Sequence, residues 1–461
     1  LISAGEIAIL RLATAIRPLA RLGSLQGTSG IARVFGLKIT ITVLSFALVT
    51  LAARALGIDA FGTYSLLFSA ASLLGVAATL GQQVLVMRFW NEYLAAGRAD
   101  LLQGALIFSA AACLLGCVLF GLPFYLWCAA AHGSGVALAA TLYMALVALA
   151  MTSAHLVRTA VSVGRGDGYF NILPALPGAL YLGFCLLAGF AAQLTTLFGL
   201  MAAGGAAAMM IHIVSLRRSL AEKFPTFART RPAFEFAQWV SRSARLWVST
   251  GLEAANQYLD VLVIGYLVDP VTAGAWFVLT RVANVISVAT DAIHMFATRH
   301  IPELYYRRQF ADLGRMLDTV AWVILVVIVG SIAGIVVAGG WLLAIFGKAY
   351  VGYHGVLIVL SAGAAAVAAA GPSASILMLT GHEGRYLAII GGSVLLRIAG
   401  FAVLIPLFGI AGAAVAVTLS ALSMTLLLRR AVGDCIGLDA SVLRVAPFGA
   451  RAALPSPQEQ G

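Results

Sequence analysis

Apolar residues fill this chain in long runs, and polar residues separate the runs at regular intervals. A helix needs roughly 20 residues to cross about 30 Å of hydrocarbon. By that measure the pattern predicts twelve spans, over 34–56, 64–88, 102–127, 136–158, 171–191, 194–215, 246–268, 275–298, 317–338, 354–379, 386–406 and 409–429. The runs are continuous and too long for tilted strands, so helices are predicted rather than a barrel. Residues 5–33 mix Ile and Leu with Arg11, Arg17, Arg21 and Arg33, a blend suited to a helix lying in the membrane surface. Residues 217–245 form the longest polar stretch, and 431–461 turns polar and Pro-rich, as expected of a disordered tail. The predicted fold is all-α: a polytopic membrane protein with two six-helix bundles, 34–216 and 246–430, around a central cleft.

The linker at 217–245 divides the spans six and six, and the two halves echo each other. GIDAFGTYSL (57–66) has a partner in VDPVTAGAWFVL (268–279), each opening the second span of its half. ADL at 99–101 recurs at 311–313, GDGYF (166–170) resembles GHEGRY (381–386), and LFG at 197–199 recurs at 407–409. The offset stays near about 210 residues throughout, which argues for duplication. Six is an even number, so both halves enter the membrane in the same direction. An axis along the membrane normal should relate them, and two bundles side by side leave a cleft of the kind transporters use.

Composition sharpens this picture. The chain is 61% hydrophobic and only 10% charged over 461 residues, against about 25% charged for soluble chains. So much apolar sequence needs lipid as its solvent. The net charge is +11, but the basic residues sit between the runs, which points to topology rather than nucleic acid. Of 29 Lys and Arg, 25 fall at the termini and in alternate loops, only Arg54 and Lys348 on the opposite side, and Arg281 and Arg397 inside spans. This bias predicts both termini in the cytoplasm of a multi-pass membrane protein. The five cysteines show no metal spacing and read as buried apolar thiols. No cleavable signal peptide is expected, since the first long apolar segment runs on into more membrane sequence.

Gly57, Asp59, Phe61-Gly62 and Tyr64, followed by LGQQVLVMRF (80–89), the Arg88-x-x-x-Glu92 pair and ADL, resemble the polysaccharide-export flippases. These are the oligosaccharide–lipid branch of the multidrug/oligosaccharidyl-lipid/polysaccharide transporter superfamily. The resemblance covers about 34–430, nearly the whole chain. It implies a flippase that moves undecaprenyl-diphosphate-linked sugar repeat units across a bacterial inner membrane for surface polysaccharide. The implied partners are the lipid-linked oligosaccharide, membrane lipid, a polysaccharide polymerase and chain-length machinery. Two departures are Pro270 and Trp276, where the second copy usually carries simpler residues, and no substrate-specific residue matches.

Ionisable groups in mid-bilayer cost about 2.5–3.5 kcal/mol each, so those present ask for a reason. In span 7, Glu253, Asn256, Gln257 and Asp260 share one stripe at about 100° per residue. Arg281, Asn284 and Asp291 share another in span 8, and Arg397 lies inside span 11. Counted from the outer ends at about 1.5 Å per residue, Asp260, Arg281 and Arg397 share one layer, with Glu253 and Asp291 in a second nearer the cytoplasm. Two arginines against one aspartate suit a diphosphate or acidic sugar, since Arg offers bidentate donors. Asp260 and Asn256 are read as contacts for sugar hydroxyls or as tuning Arg281, with Gln257 and Asn284 beside them. Glu253 and Asp291 are the candidates for coupling to Na+ or H+. A purely structural reading makes Asp260–Arg281 a buried salt bridge. Gln82 and Gln83 are expected to face the cleft on polarity alone. His294 reads as a packing residue. Arg88 and Arg299, each four residues before a Glu, read as membrane anchors or as first contacts at the cytoplasmic mouth. Gly330-x-x-x-Gly334 permits close helix packing, and Gly371-Pro372 should kink span 10.

No G-x-x-x-x-G-K-[ST], H-E-x-x-H or G-x-S-x-G motif occurs, so no catalytic residue, metal ligand set or cofactor is assigned and the chain is read as a transporter, not an enzyme. Drive would come from an ion gradient, the membrane potential or depletion of substrate on the far side. The rival readings are a multidrug/cation antiporter of the same superfamily, a lipid II flippase, and a membrane polymerase or ligase, which the short outer loops disfavour.

Overall fold

The computed structural model describes residues 28–223, 230–287, 309–437 and 439–445, with scattered positions between 290 and 307. Nearly all of them are helical. Spans 1 to 6 are Thr28–Ala55, Gly57–Ala78 continued by Gln82–Ala95, Ala99–His132, Ser134–Ala160, Tyr169–Ala188 and Leu194–Lys223. Span 7 is Phe236–Leu267, span 8 begins at Pro270–Ala283, span 9 is Phe310–Phe346, and span 10 is His354–Ala369 with Ser373–Leu379. Glu383–Ile436 carries spans 11 and 12, which reverse at Gly409 (φ 57°, ψ −138°).

Among the described residues, nine segments are long and apolar enough to cross a membrane by length and composition. One of them, Glu383–Cys435, holds two spans. Span 7 stands outside that set because its polar stripe dilutes a helix of 32 residues, and span 8 because only its first 14 residues form an uninterrupted described helix. Adding these gives about twelve. Large apolar side chains such as Leu187, Val337 and Trp341 lie exposed on the outside, as a lipid-facing surface requires.

Local chemistry accounts for the breaks. Asp269 caps span 8 by accepting from the Thr272 N–H at 2.8 Å, and Pro270 stands in the first turn, where its missing N–H costs nothing. Pro270 is therefore a helix starter. Span 2 is interrupted at Leu80 (φ 48°) and Gly81 (φ 77°). A Cβ on Gly81 would lie 2.7 Å from Ser243 O, so span 7 crosses here at a distance only glycine allows. The polar groups freed by the break find partners. Ser243 Oγ donates to Leu80 O at 2.5 Å, Gln82 Nε2 donates to Ser243 Oγ at 2.8 Å, and Ser109 Oγ donates to Gln82 Oε1 at 2.8 Å. Gln82 is fully buried and joins spans 2, 3 and 7. It does not face the cleft.

Span 10 does break at Gly371-Pro372, as the sequence predicts. A Cβ on Gly371 would lie 2.2 Å from Ala440 O, so the break is packed beneath the C-terminal segment. That segment departs from the expected disordered tail. Helix continues to Ile436, Asp439 pairs with Arg429 at 2.8 Å, and Arg444 pairs with Asp318. The linker is likewise shorter than the polar stretch suggests, because span 6 extends to Lys223 and span 7 begins at Phe236. The proposed surface helix at 5–33 lies almost wholly outside the described residues. At the start of span 3, Arg98 donates two hydrogen bonds to Asp100 in the first turn of the helix.

Spans 1 to 6 pack on one another, as do spans 9 to 12. The halves meet where span 2 touches spans 7 and 8 and span 1 touches span 9. On the side away from the linker this contact is tight. A Cβ on Gly62 would sit 2.4 Å from Pro270 O, and one on Gly274 would sit 3.0 Å from Gly62 Cα. Phe61, Tyr64, Phe68 and Phe277 stack edge-on behind that crossing, and Arg54 Nε donates to Ile345 O at 2.6 Å.

Candidate functional site

Below this closure lies a cavity of about 530 Å³. Its wall is built by spans 7, 8, 10, 11 and 12, with Ser69 reaching in from span 2. Asn256, Gln257, Asp260, Arg281, Asn284 and Arg397 all line it. The polar stripe of span 7 thus meets polar residues from spans 8 and 11.

Within the cavity the two arginines differ. Arg397 Nη1 lies 3.1 Å from Asp260 Oδ2, and its Nη2 donates to Asn256 Oδ1. The same Nη1 reaches Asn256 O at 3.4 Å. Arg397 and Asp260 are 7% and 8% exposed, so the pair is buried at the cavity wall. Asp260 Oδ1 has no hydrogen-bond partner. The aspartate therefore pairs across the bundle with span 11, not within the hairpin with Arg281. Span 7 packs on both spans 8 and 11, so depth alone leaves the partner open and side-chain packing selects it. Arg281 sits with its guanidinium 4.7 Å from the centre of the Phe277 ring. Among the described residues no carboxylate pairs with it. The cavity lining has two arginines against one aspartate, and the surplus positive charge is on Arg281.

A second cavity of about 1000 Å³ opens on the linker side, lined by Arg88, Glu92, Arg242, Arg245, Glu253 and Glu383 among others. Glu253 belongs to this vestibule and not to the arginine layer, as the depth count predicts. Glu92 pairs with Arg242 at 2.8 Å, so the anticipated pairing of Arg88 with Glu92 is replaced by a contact to span 7, and Arg88 stands exposed. Among the described lining residues three arginines face three glutamates. Asp291 and Arg299 lie outside the described residues, and their places in the site are untouched by this geometry.

A smaller cavity of about 170 Å³ lies in the N-terminal half, with Ser72, Tyr143, Asn171 and Tyr258 among its lining residues. Tyr258 lines both this chamber and the larger one. It stands about 140° from Glu253 around span 7 and so falls outside the polar stripe, which is why sequence reasoning passes over it.

No protein-family model matches this sequence, and no curated protein matches it. Solved structures do. The chain is similar to a multidrug resistance MATE family transporter of the MOP superfamily in its inward-facing conformation, at 12% identity over 91% of this chain and 96% of that chain, with a TM-score of 0.62. It is similar to the lipid II flippase MurJ in an inward closed conformation, at 11% identity over 87% of both chains and a TM-score of 0.67. It also resembles a MOP superfamily transporter from Pyrococcus furiosus, described as having a binding pocket whose reverse polarity suggests a different function, at 9% identity over 86% of this chain and 93% of that chain, TM-score 0.55. At such identities the likeness is one of fold. The chain has the fold of MOP superfamily transporters.

Proposed function

We propose that the protein is a flippase for lipid-linked oligosaccharide diphosphates, working by alternating access in a bacterial inner membrane. The observation that supports this reading is Arg281, a cation without a carboxylate partner among the described residues, in a cavity closed off by the tight Gly62–Pro270 contact on the far side. A diphosphate supplies the missing anion, and a guanidinium binds it through paired N–H donors. Arg397 adds a second donor set once the anion competes with Asp260. Hydroxyls of the sugar find amide and hydroxyl partners in Asn256, Gln257, Asn284 and Tyr258, while the isoprenoid tail stays in lipid. The described likenesses include both a multidrug transporter and a lipid II flippase on one fold, so the polarity of the cavity is what selects among cargoes. An organic cation suits it poorly, because Asp260, the only acid among the described lining residues, is already engaged by Arg397. Export of repeat units for surface polysaccharide, with a polymerase acting downstream, is the physiological role we assign, and Glu253 and Asp291 remain the candidates for Na+ or H+ coupling.

Arg281→Gln tests the assignment. In a strain deleted for the native gene, the variant is expected to reach wild-type protein levels and leave surface polysaccharide at least about tenfold reduced, since a lost charge-assisted contact is worth about 1.5–3 kcal/mol. Normal export by Arg281→Gln would sink the anion assignment. Rescue of peptidoglycan precursor export instead would identify lipid II as the cargo.

A further inference from the structure

The GRGDG motif at 164–168 takes no part in the central cavity, yet it is elaborately held. It forms a π-helical turn joining spans 4 and 5. His212, fully buried on span 6, places Nε2 3.1 Å from Arg165 O and 3.2 Å from Gly166 O, with Nδ1 2.9 Å from Ser153 Oγ. Asn171 Nδ2 donates to Asp167 O at 2.6 Å, and a Cβ on Gly166 would lie 2.4 Å from Ala154 O. Single-turn π bulges in helices often mark functional positions. Here the clamp fixes where the backbone of Arg165 leaves the turn.

What it fixes Arg165 beside is a groove of about 340 Å³ on the outside of the bundle, between spans 5 and 6. Arg218 and Tyr169 line its polar end, and Met210 and Val214 line its apolar floor. Met210 is 61% exposed and Val214 48%, so this floor faces lipid rather than protein. Among the described residues neither Arg165 nor Arg218 has a carboxylate partner. Asp167, two residues along the turn, is taken by Arg158 at 3.3 Å. Tyr169 begins span 5 and Arg218 stands in the last turns of span 6, which puts both guanidinium groups at headgroup depth on the linker side.

We infer that this groove binds an anionic phospholipid of the linker-side leaflet. Arg165 and Arg218 would take the non-bridging oxygens of its phosphodiester, and an acyl chain would lie along Met210 and Val214. A zwitterionic lipid is a poorer fit, because its ammonium would enter the field of two unneutralised guanidinium groups. The site is separate from the transport cavity and does not depend on which cargo the protein carries.

The test uses the full chain, purified in non-ionic detergent, delipidated, and titrated with dioctanoyl-phosphatidylglycerol, dioctanoyl-phosphatidylcholine or inorganic phosphate under native mass spectrometry. One phosphatidylglycerol is expected to bind about fivefold or more tightly than phosphatidylcholine, because the two guanidinium groups repel the choline ammonium while both lipids offer the same phosphodiester. Arg165→Gln with Arg218→Gln should abolish that preference, while Arg217→Gln, which removes an exposed neighbour outside the groove, should keep it. Arg165→Lys with Arg218→Lys keeps the charge but removes the planar forks, and should weaken binding by about threefold or more. Equal binding of the two lipids, or an equal loss in Arg217→Gln, would show diffuse surface charge and overturn the site. Unchanged binding in either double variant would also overturn it. Inorganic phosphate binding as tightly as phosphatidylglycerol would overturn the lipid assignment. Should the Gln double variant fail to fold, the Lys double variant and Arg217→Gln carry the test.

Discussion

Removing one member of the Arg397–Asp260 pair should destabilise the protein more than removing both. The two are 7% and 8% exposed and 3.1 Å apart, and Asp260 Oδ1 is already without a partner. Arg397→Ala would leave the whole carboxylate unpaired, and Asp260→Asn would leave the guanidinium with amide partners only. Breaking a buried pair from one side costs about 3–5 kcal/mol, whereas replacing both members with apolar residues of similar volume is often neutral or stabilising. Because the pair lines a cavity that admits water, the lower end applies, about 3 kcal/mol for each single variant. Asp260→Leu with Arg397→Met should then lie near wild type, about 3 kcal/mol above either single variant. The assay is unfolding of the four proteins in one detergent, followed by tryptophan fluorescence. Transport by the same four proteins separates fold from function: the stable double variant should be inactive, since it lacks one anion donor. A double variant as unstable as the worse single would mean that shape, not charge, is what the site requires. Single variants indistinguishable from wild type would mean that the pair is solvated and worth only the about 0–1 kcal/mol of a surface bridge.

Gly62→Val should pry open the far side, because its Cβ would meet Pro270 O at 2.4 Å; spin-label distances between the outer ends of spans 1 and 9 should lengthen, and unchanged distances would refute a role for Gly62 in closure. Gln82→Ala leaves the buried Ser109 hydroxyl without its acceptor and should cost about 1–3 kcal/mol, with transport falling only as far as protein level does; lost transport at full stability would put Gln82 back in the cleft. A cargo carrying two negative charges outward gains about 2.3 kcal/mol per charge per 100 mV from an inside-negative potential. Imposing that potential on proteoliposomes should speed flipping, and indifference to it would argue against an anionic cargo.

The spans and the polar stripe of span 7 are legible in the sequence because both follow from periodicity alone. Asn256 and Asp260 must share a face whatever the helix packs against. The pairing of Asp260 is not legible, because depth along the spans places Arg281 and Arg397 equally near, and only the packing of span 7 on span 11 decides. Gln82 is misread for a related reason. Polarity in a span suggests a cleft, but the break at Leu80–Gly81 frees backbone groups that need polar partners of their own. The positive φ that marks the break belongs to tertiary contact with Ser243 and Trp247. The ordered stretch around Asp439 is hidden similarly, since its partners Arg429, Asp318 and the break at Gly371 are distant in the chain or unremarkable alone.

The two arginines of the cavity divide the work that an anion site must do. A guanidinium in mid-bilayer costs about 2.5–3.5 kcal/mol, and stacking on one aromatic ring returns about 0.5–2 kcal/mol. Arg397 meets the remainder with Asp260 and Asn256, so it can be held in place while the cavity is empty. Among the described residues Arg281 has only the Phe277 ring, so in the empty cavity water has to solvate it. Among the described residues the vestibule lining balances its charges and the cavity lining does not, so on the proposed function an arriving anion would move down the potential towards Arg281. Binding would remove the charge that keeps the cavity hydrated, while sugar hydroxyls reach Tyr258 and the chamber of the N-terminal half. Neutralisation and cross-linking of the halves are then the same event, which is what a closing step on the linker side needs from its cargo.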